Sequence, residues 1–455
     1  MPSVFRRPWA TLSWRPILLF LAVLGPGIIT ANADNDAGGI TTYSLAGAQY
    51  GNALLWTLIP TTIALIVVQE MSARMGAITG KGLSDLIRER FGLRVTVYVL
   101  LALLVADMGN TVAEFSGIAS SVQIFGVSKY FVVPLAAGFV WWLIVKGSFK
   151  AAEKYFLTAC VFYIAYVVSG ILAHPNWAEV TKATFVPTFH LDAGYLSMVI
   201  GVVGTTIAPW MQFYIQSAVV EKRVKPEQYP LSRIDVIVGC IITDVIAFFI
   251  IVSCAATVYL HHSPNVQFTD AGQVAAALAP LAGKWATVLF AFGLFNASLF
   301  TASILPLATS YYICEGMGWE AGIDRSFKEA PWFITIYTVL ILIGAGVVLI
   351  PHAPLLGIMF WSQVVNGILL PFILVFMLVL INEKRIMGRW VNGPVYNAIS
   401  WISVVIMIGL TAALVVTSVF PDLLPASPGS APVVGLAPVI PSAAGPTRIC
   451  TQLTA

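Results

Sequence analysis

The segment TANADNDAGGITTYS, residues 30–44, places Asp34, Asn35 and Asp36 directly after a long apolar run and directly before a glycine pair. Carboxylates, a side-chain amide and the carbonyls of an unwound backbone form a ligand set for a hard cation. Glycines let a chain leave the helical conformation. The alternative is a helix end at a membrane interface, capped by Asp34, but apolar sequence resumes on both sides without a basic flank. The segment therefore favours a cation site within a broken helix.

The elements that must position these residues are membrane helices. Of the 455 residues, 58% are hydrophobic and only 10% are charged, against about 25% charged in soluble proteins. Because a helix needs about 20 residues to cross a bilayer core, the apolar runs predict eleven spans in an all-α multi-pass membrane protein. The predicted spans are 17–48, 52–78, 94–124, 130–146, 153–173, 194–220, 231–260, 285–313, 331–350, 354–381 and 393–420.

Charge predicts the orientation of the chain. If the N-terminal segment 1–16 is inside, most of the 24 Lys and Arg residues fall on the inner side. This bias predicts a cytoplasmic N-terminus, an outer C-terminus and insertion in the plasma or inner membrane. The net charge of +3 therefore reflects topology and predicts no nucleic-acid partner. The Pro-, Ala- and Ser-rich tail at 421–455 is predicted to be disordered.

A second break in a predicted helix supports the interpretation of the first as part of a site. GVVGTTIAPWMQFY, residues 201–214, interrupts the sixth span with Thr205 and Pro209, and proline inside a helix removes a hydrogen bond. A single kink would be a structural bend, but breaks five spans apart indicate two inverted five-helix repeats, as in LeuT-like transporters, with a substrate site between them. The predicted units are helices 1–5 at 17–173, helices 6–10 at 194–381 and an additional helix at 393–420.

The chain resembles the Nramp family of divalent metal transporters over about residues 16–385. LGPGIITANADNDAGG resembles the family's GPG…DPGN segment, and QEMSARMGAITGKGLSDLIRERFG at 69–92 resembles its second helix and first inner loop. The segments 233–259 and 362–372 resemble its seventh and tenth helices. The resemblance implies transport of a divalent cation by alternating access, with the metal held at the two breaks.

The chain departs from the family at its metal ligands. The family supplies Asp and Asn at the first break; here Asp36 is kept and Gly39 stands at the Asn position. The family's Met-Pro-His at the second break is here Ala208, Pro209 and Trp210. Since a thioether favours softer metals and oxygen ligands suit Mg²⁺, Ca²⁺ and Mn²⁺, these changes predict a wider, harder and more acidic site.

A wide carboxylate-lined cavity fits a largely hydrated Mg²⁺, which gives up its water reluctantly. The pattern is similar to the Nramp-related magnesium transporters. The predicted metal ligands are Asp34, Asn35, Asp36, Thr205 and Gln363. The residues predicted to shape the site are Gly38, Gly39, Ala208, Pro209 and Trp210. Two roles remain open for Asp34: it coordinates the metal directly, or it orients another ligand residue by a hydrogen bond.

The sequence favours uptake without proton coupling. All five histidines fall in predicted outer loops, so no imidazole titrates within a span. The resemblance implies a proton route through an acid pair on helix three, of which Glu114 remains while Thr111 stands at the second position. Glu114 is therefore a residual proton site, and a proton-coupled Mn²⁺ or Fe²⁺ importer is the alternative function.

Other function classes find less support. An intramembrane zinc protease needs H-E-x-x-H, and no span contains histidine. An aspartyl protease dyad of Asp107 and Asp244 lacks a supporting motif. We expect these two acids to pair with hydroxyl groups or with Arg74 instead. Arg74 also lies four residues after Glu70, at the spacing of an ion pair on one helix face. An amino-acid transporter on a similar inverted-repeat scaffold is also less favoured, because the two aspartates would repel the carboxylate of the substrate. We expect neither enzyme activity nor a cofactor. The expected substrate is Mg²⁺, or alternatively Mn²⁺. The expected protein is a monomer in a lipid bilayer.

Overall fold

The computed structural model describes residues 25–147, 149–190, 192–259 and 271–419. Within these ranges every regular element is a helix and none is a strand, so the predicted all-α class is confirmed. The predicted N-terminal segment 1–16, the start of the first span and the tail at 421–455 lie outside the described residues.

The described ranges contain seventeen α-helices. In chain order they are α1 (Pro26–Asn32), α2 (Ala37–Tyr50), α3 (Leu58–Thr79), α4 (Leu83–Phe91), α5 (Leu93–Gln123), α6 (Lys129–Val145), α7 (Phe149–Val161), α8 (Ile164–Leu172), α9 (Trp177–Phe185), α10 (Ala193–Thr206), α11 (Pro209–Glu221), α12 (Tyr229–Cys254), α13 (Ala271–Met317), α14 (Pro331–Val348), α15 (Leu355–Asn382), α16 (Lys384–Met387) and α17 (Pro394–Val419). In the described ranges nine helical segments are long and apolar enough to cross a membrane, and α6 is shorter. The exact count of eleven spans stays a prediction.

Two elements differ from the predicted spans. The fifth span is divided, because a turn with i→i−3 hydrogen bonds, from Phe162 N to Ala159 O at 3.1 Å and from Tyr163 N to Cys160 O at 3.3 Å, separates α7 from α8. The eighth span, predicted at 285–313, belongs to a helix that begins at Ala271. The added residues are rich in alanine and leucine, which are strong helix formers.

Both halves of the broken first helix lie against α12 at glycine contacts. A Cβ atom on Gly27 would stand 2.5 Å from Val236 N, and one on Gly47 would stand 2.3 Å from Ile251 O. Gly239 on α12 approaches Gly27 O in the same way, at 2.8 Å. Only glycine permits this backbone separation, so α12 supports the first helix on either side of its break.

The Asp235 carboxylate caps the N-terminus of α1. It accepts hydrogen bonds from Gly27 N at 2.7 Å and from Gly25 N and Ile28 N at 3.3 Å. The first N–H groups of a helix have no partner within the helix, and the positive end of the helix dipole favours an anion. A single side chain of α12 therefore satisfies three buried donors of α1.

Helices α10 and α15 also meet at glycines. A Cβ atom on Gly204 would stand 2.3 Å from Gln363 O and 2.4 Å from Gly367 N, and one on Gly367 would stand 2.5 Å from Ile200 O. The predicted pairing on α3 is confirmed: Arg74 Nη2 lies 3.1 Å from Glu70 Oε2. Helices α2, α10 and α15 contact one another, and α5 contacts α2 and α15.

We expect Asp235→Ala to destabilise the fold by about 3 kcal/mol, because it leaves several buried N–H donors without an acceptor. The measurement is thermal unfolding of the purified protein in detergent. Glu227→Gln, which removes an exposed carboxylate just before α12, is the control and should leave the unfolding temperature unchanged. Equal unfolding temperatures for both variants would contradict the capping role.

Candidate metal site

The first predicted break is present between α1 and α2. Helix α1 ends at Asn32, and Asp36 caps α2 with its side chain, which accepts a hydrogen bond from Gly39 N. The intervening residues keep only i→i−3 bonds, from Asp34 N to Ala31 O and from Asn35 N to Asn32 O, both at 3.2 Å. Asp34, Asn35 and Asp36 are all buried, so the break lies in the protein interior.

Glu114 on α5 closes the α2 side of the break. Its Oε2 accepts a hydrogen bond from Ala37 N at 3.2 Å, and its carboxyl group lies beside that of Asp36. Two neighbouring buried carboxylates repel each other when both are ionised, so the pair favours holding a proton. The predicted residual proton site is therefore in direct contact with the predicted metal ligand.

The second predicted break lies opposite the first. Helix α10 ends at Thr206, and α11 begins with Pro209 at its first position and Ala208 as N-cap. Thr205 Oγ1 lies 3.5 Å from Asp34 O, and Tyr43 OH on α2 lies 2.7 Å from Thr206 Oγ1. The two unwound segments are thus in contact.

The glycines do not widen the site, contrary to prediction. A Cβ atom on Gly39 would stand 2.5 Å from Asp34 O and 2.8 Å from Thr205 Oγ1, and one on Gly38 would overlap the Gln363 amide. The physical reason is that a missing side chain also permits close approach of neighbouring groups. In this structure the space beside Asp36 is filled by the second break and by α15.

Gln363 on α15 faces Asp36. Its Nε2 lies 3.5 and 3.4 Å from the two carboxylate oxygens. Its Oε1 accepts a hydrogen bond from Asn366 Nδ2 at 2.9 Å, and Asn366 exchanges hydrogen bonds of 3.0 and 3.2 Å with Asn110 on α5. Asn110 Nδ2 in turn lies 3.2 Å from Asp107 Oδ1. A continuous chain of buried polar side chains therefore links Asp36 to Asp107.

The chain of polar side chains ends at hydroxyl groups. Asp107 Oδ2 accepts hydrogen bonds from Thr309 Oγ1 and Tyr312 OH on α13, both at 3.0 Å. The predicted pairing of Asp107 with hydroxyls is confirmed. The sequence pattern did not single out Asn110 and Asn366, although each lies three residues after a polar side chain, on the same helix face.

The remaining predicted residues lie around the two breaks. Asn35 Nδ2 donates to α12, to Thr243 Oγ1 at 2.7 Å and to Thr243 O at 3.1 Å. The carboxylate of Asp34 has no hydrogen-bond partner in the described part of the chain. Trp210 is buried at the start of α11, where its ring centroid lies 6.4 Å from that of Tyr214. Asn35 and Trp210 thus pack the walls of the breaks.

Across the described residues, no three His, Cys, Asp or Glu side chains form a group that could hold a metal ion. The oxygen ligands near Asp36 are instead one further carboxyl group, the Thr205 hydroxyl and the Asp34 carbonyl, while the Gln363 amide presents its Nε2 to Asp36 and its Oε1 to Asn366. A site with few anionic ligands suits a cation that keeps part of its water.

Two broken helices whose unwound segments meet at a buried carboxylate form the substrate site of many secondary transporters. The chain belongs to the Nramp family: residues 27–417 match the family model described as "Natural resistance-associated macrophage protein-like". Its fold class is accordingly the LeuT-like fold with broken helices one and six.

Similar proteins support this assignment. The chain is 29% identical to "Divalent metal cation transporter MntH" of Deinococcus radiodurans, over 88% of this chain and 91% of the relative. It is 26% identical to the MntH of Bacillus subtilis, over 87% and 92%. The Eremococcus coleocola manganese transporter superposes with a TM-score of 0.70 at 21% identity, covering 91% of this chain and 89% of that one. MhsT in complex with L-phenylalanine shares the fold at a TM-score of 0.55 and 14% identity, covering 91% and 99%.

We expect Asn366→Leu to strengthen divalent-cation binding about tenfold, because Gln363 Oε1 loses a buried hydrogen bond of about 1.4 kcal/mol that holds it away from Asp36 and can then turn toward the ion. The measurement is calorimetric titration of the purified protein with Mn²⁺ and Mg²⁺. Asn382→Leu is the matched control, since Asn382 is paired with Asn397 at the far end of the same helix. Equal affinities in the two variants would show that the polar chain does not orient Gln363.

Proposed function

We propose that the protein transports divalent metal cations across a membrane and that Asp36 is the main ionic ligand. The observation that carries the proposal is a buried carboxylate at the junction of two broken helices, within reach of Gln363 and Glu114. The names of the relatives, divalent metal cation transporters, support it. The cytoplasmic N-terminus, the outer C-terminus, the repeat units at 17–173 and 194–381, and a monomeric functional unit belong to the same proposal.

The cation that the site chemistry favours is Mg²⁺. Asp36 is surrounded by oxygen and amide groups, and Ala208 offers no sulfur at the second break. Thioether ligands favour softer transition metals, whereas carboxylate and carbonyl ligands suit Mg²⁺. The closed packing at Gly39 would have to open to admit an ion that retains water.

Membrane potential alone can drive this transport. Moving two charges across 100 mV releases about 4.6 kcal/mol, since each charge contributes about 2.3 kcal/mol. That energy corresponds to more than a thousandfold accumulation. A transported proton is therefore unnecessary where the cell interior is negative.

The second candidate is proton-coupled transport of Mn²⁺ or Fe²⁺. The proximity of the Asp36 and Glu114 carboxyl groups favours it, because a cation that binds Asp36 would displace or transfer a proton held by the pair. The relative from Eremococcus coleocola, a manganese transporter, supports the same alternative. The two candidates differ in cargo and in proton movement, so one experiment separates them.

We expect Asp36→Ala to reduce cation uptake to the level of empty liposomes, because the site loses its principal charge. The measurement is uptake of Mg²⁺ and Mn²⁺ by reconstituted protein, with a pH indicator inside the liposomes. Glu179→Gln, which alters an exposed carboxylate on α9, is the control. Near-normal uptake in Asp36→Ala would contradict the site.

In the same liposomes, Mg²⁺ uptake that follows the membrane potential without acidifying the interior would support the main proposal. A cation-dependent inward proton flux that disappears in Glu114→Gln would support the second candidate instead. This measurement therefore decides between the two transport mechanisms.

We expect Ala208→Met to increase the affinity for Mn²⁺ relative to Mg²⁺ about tenfold, because it adds a thioether at the second break. Ala208→Leu is the matched control, since it adds comparable bulk without sulfur. The ratio of the two dissociation constants is the measured quantity. If both variants shift the ratio equally, side-chain volume rather than sulfur sets the selectivity. Gly39→Asn is unsuitable here because its Cβ atom would collide with Asp34 O.

A further inference from the structure

Two acidic side chains lie on the α12 side of the first break. Asp34 and Asp244 are buried, with exposed fractions of 2% and 5%. Within the described residues the Asp34 carboxylate has no hydrogen-bond partner, and the Thr62 hydroxyl lies beside the Asp244 carboxylate. Carboxylates in a protein interior are normally paired or hydrogen-bonded, so this pair needs an occupant.

The chain segments that carry the two acids are fastened to each other. Asn35 donates hydrogen bonds to Thr243 O and Thr243 Oγ1, and Thr243 Oγ1 donates to Ala31 O at 2.6 Å. Asp34 precedes Asn35 in the chain and Asp244 follows Thr243. These hydrogen bonds hold the two acids on adjoining chain segments, with Asp244 near Asp34.

The hydroxyl group of Thr62 does not neutralise the charge of the Asp244 carboxylate. Thr62 on α3 lies beside Asp244, but its Oγ1 donates to Leu58 O at 2.7 Å. Among the described residues, the five ion pairs include neither Asp34 nor Asp244. Two like charges are thus held together without a basic partner.

A neutral acceptor provides an independent indication of a ligand. Asn35 is fully buried, and its Oδ1 has no hydrogen-bond partner among the described residues. Its Nδ2 is fixed on Thr243, directly before Asp244 in the chain, so the amide lies between the segments that carry the two acids. The group therefore presents only acceptor oxygens, and a hard cation is the ligand that such a set binds.

This group is distinct from the Asp36 site. Asp36 is engaged by Gly39 N, by Gln363 on α15 and by Glu114 on α5. Asp34 has none of these hydrogen bonds, and the carboxyl groups near it are those of Asp244 on α12 and of Asp36. The two acids of one break thus differ in their hydrogen bonding.

We propose that Asp34 and Asp244, together with Asn35 Oδ1, form a second binding site for a hard divalent cation beside the Asp36 site. A divalent ion balances the two carboxylate charges, which a monovalent ion does not. The identity of the ion as Mg²⁺ rests on the proposed function. The existence of the second site does not, because its evidence comes from other residues.

The test is the number of ions bound per chain. The purified full-length protein is titrated with Mg²⁺ by calorimetry and with Mn²⁺ by electron paramagnetic resonance of the free ion. We expect two ions in the wild type, one in Asp34→Asn, one in Asp244→Asn and one in Asp36→Ala. The ion that remains in each variant shows that the protein is folded, and Glu179→Gln should still bind two.

Either of two results would overturn the second site. One is that the wild type binds a single ion per chain, whatever the variants bind. If that ion is lost in each of the three variants, their residues belong to one shared site. The other is two ions in the wild type that persist in Asp34→Asn and Asp244→Asn. If Asp36→Ala still transports while Asp244→Asn binds one ion instead of two, the assignment of Asp36 as the main ligand fails and the second site stands. If the wild type transports neither cation but binds two ions, the proposed function fails and the second site stands.

Discussion

A polypeptide that leaves the helical conformation inside a membrane must find new partners for its backbone groups, and this constraint organises the molecule. At the first break Ala37 N is satisfied by Glu114, Gly39 N by the Asp36 carboxylate, and Ala31 O by Thr243. The partners come from α5, from the break itself and from α12. The break is therefore a built feature, held from both sides by helices that keep their regular geometry.

The same partners divide the acidic groups of the break into two environments. On one side Asp36 lies at the end of a polar chain through Gln363 and Asn366 that reaches Asp107. On the other side the Asp34 carboxylate has no hydrogen-bond donor among the described residues, and Asp244 lies near it. Hydrogen-bond donors reduce the need for a positive ion, and their absence increases it. The two environments thus place different demands on a cation although they are two residues apart in sequence.

The sequence predicted local features better than long-range ones. The break at Asp36 was predictable because carboxylates are costly within an apolar run and are rare there unless they serve a site. Gln363 was predictable because its segment resembles a family motif. The Asn110–Asn366 pair joins residues 256 positions apart, and no local pattern encodes such a contact. Gly39 shows the limit most clearly, since a missing side chain can mean either open space or close packing, and only the neighbours decide which.

The crossing of α10 and α15 has a mechanical consequence. At the crossing point Gly204 and Gly367 bring the two backbones into contact, and the side chains of Ile200, Phe360 and Val364 pack beside it. Interlocked side chains resist relative movement because each must change rotamer before the next position is reached. The crossing point itself lacks this resistance, which lowers the barrier to a small shear movement between the helices. The helix that carries Gln363 can thus be displaced along the second break while the apolar packing elsewhere in the bundle is conserved.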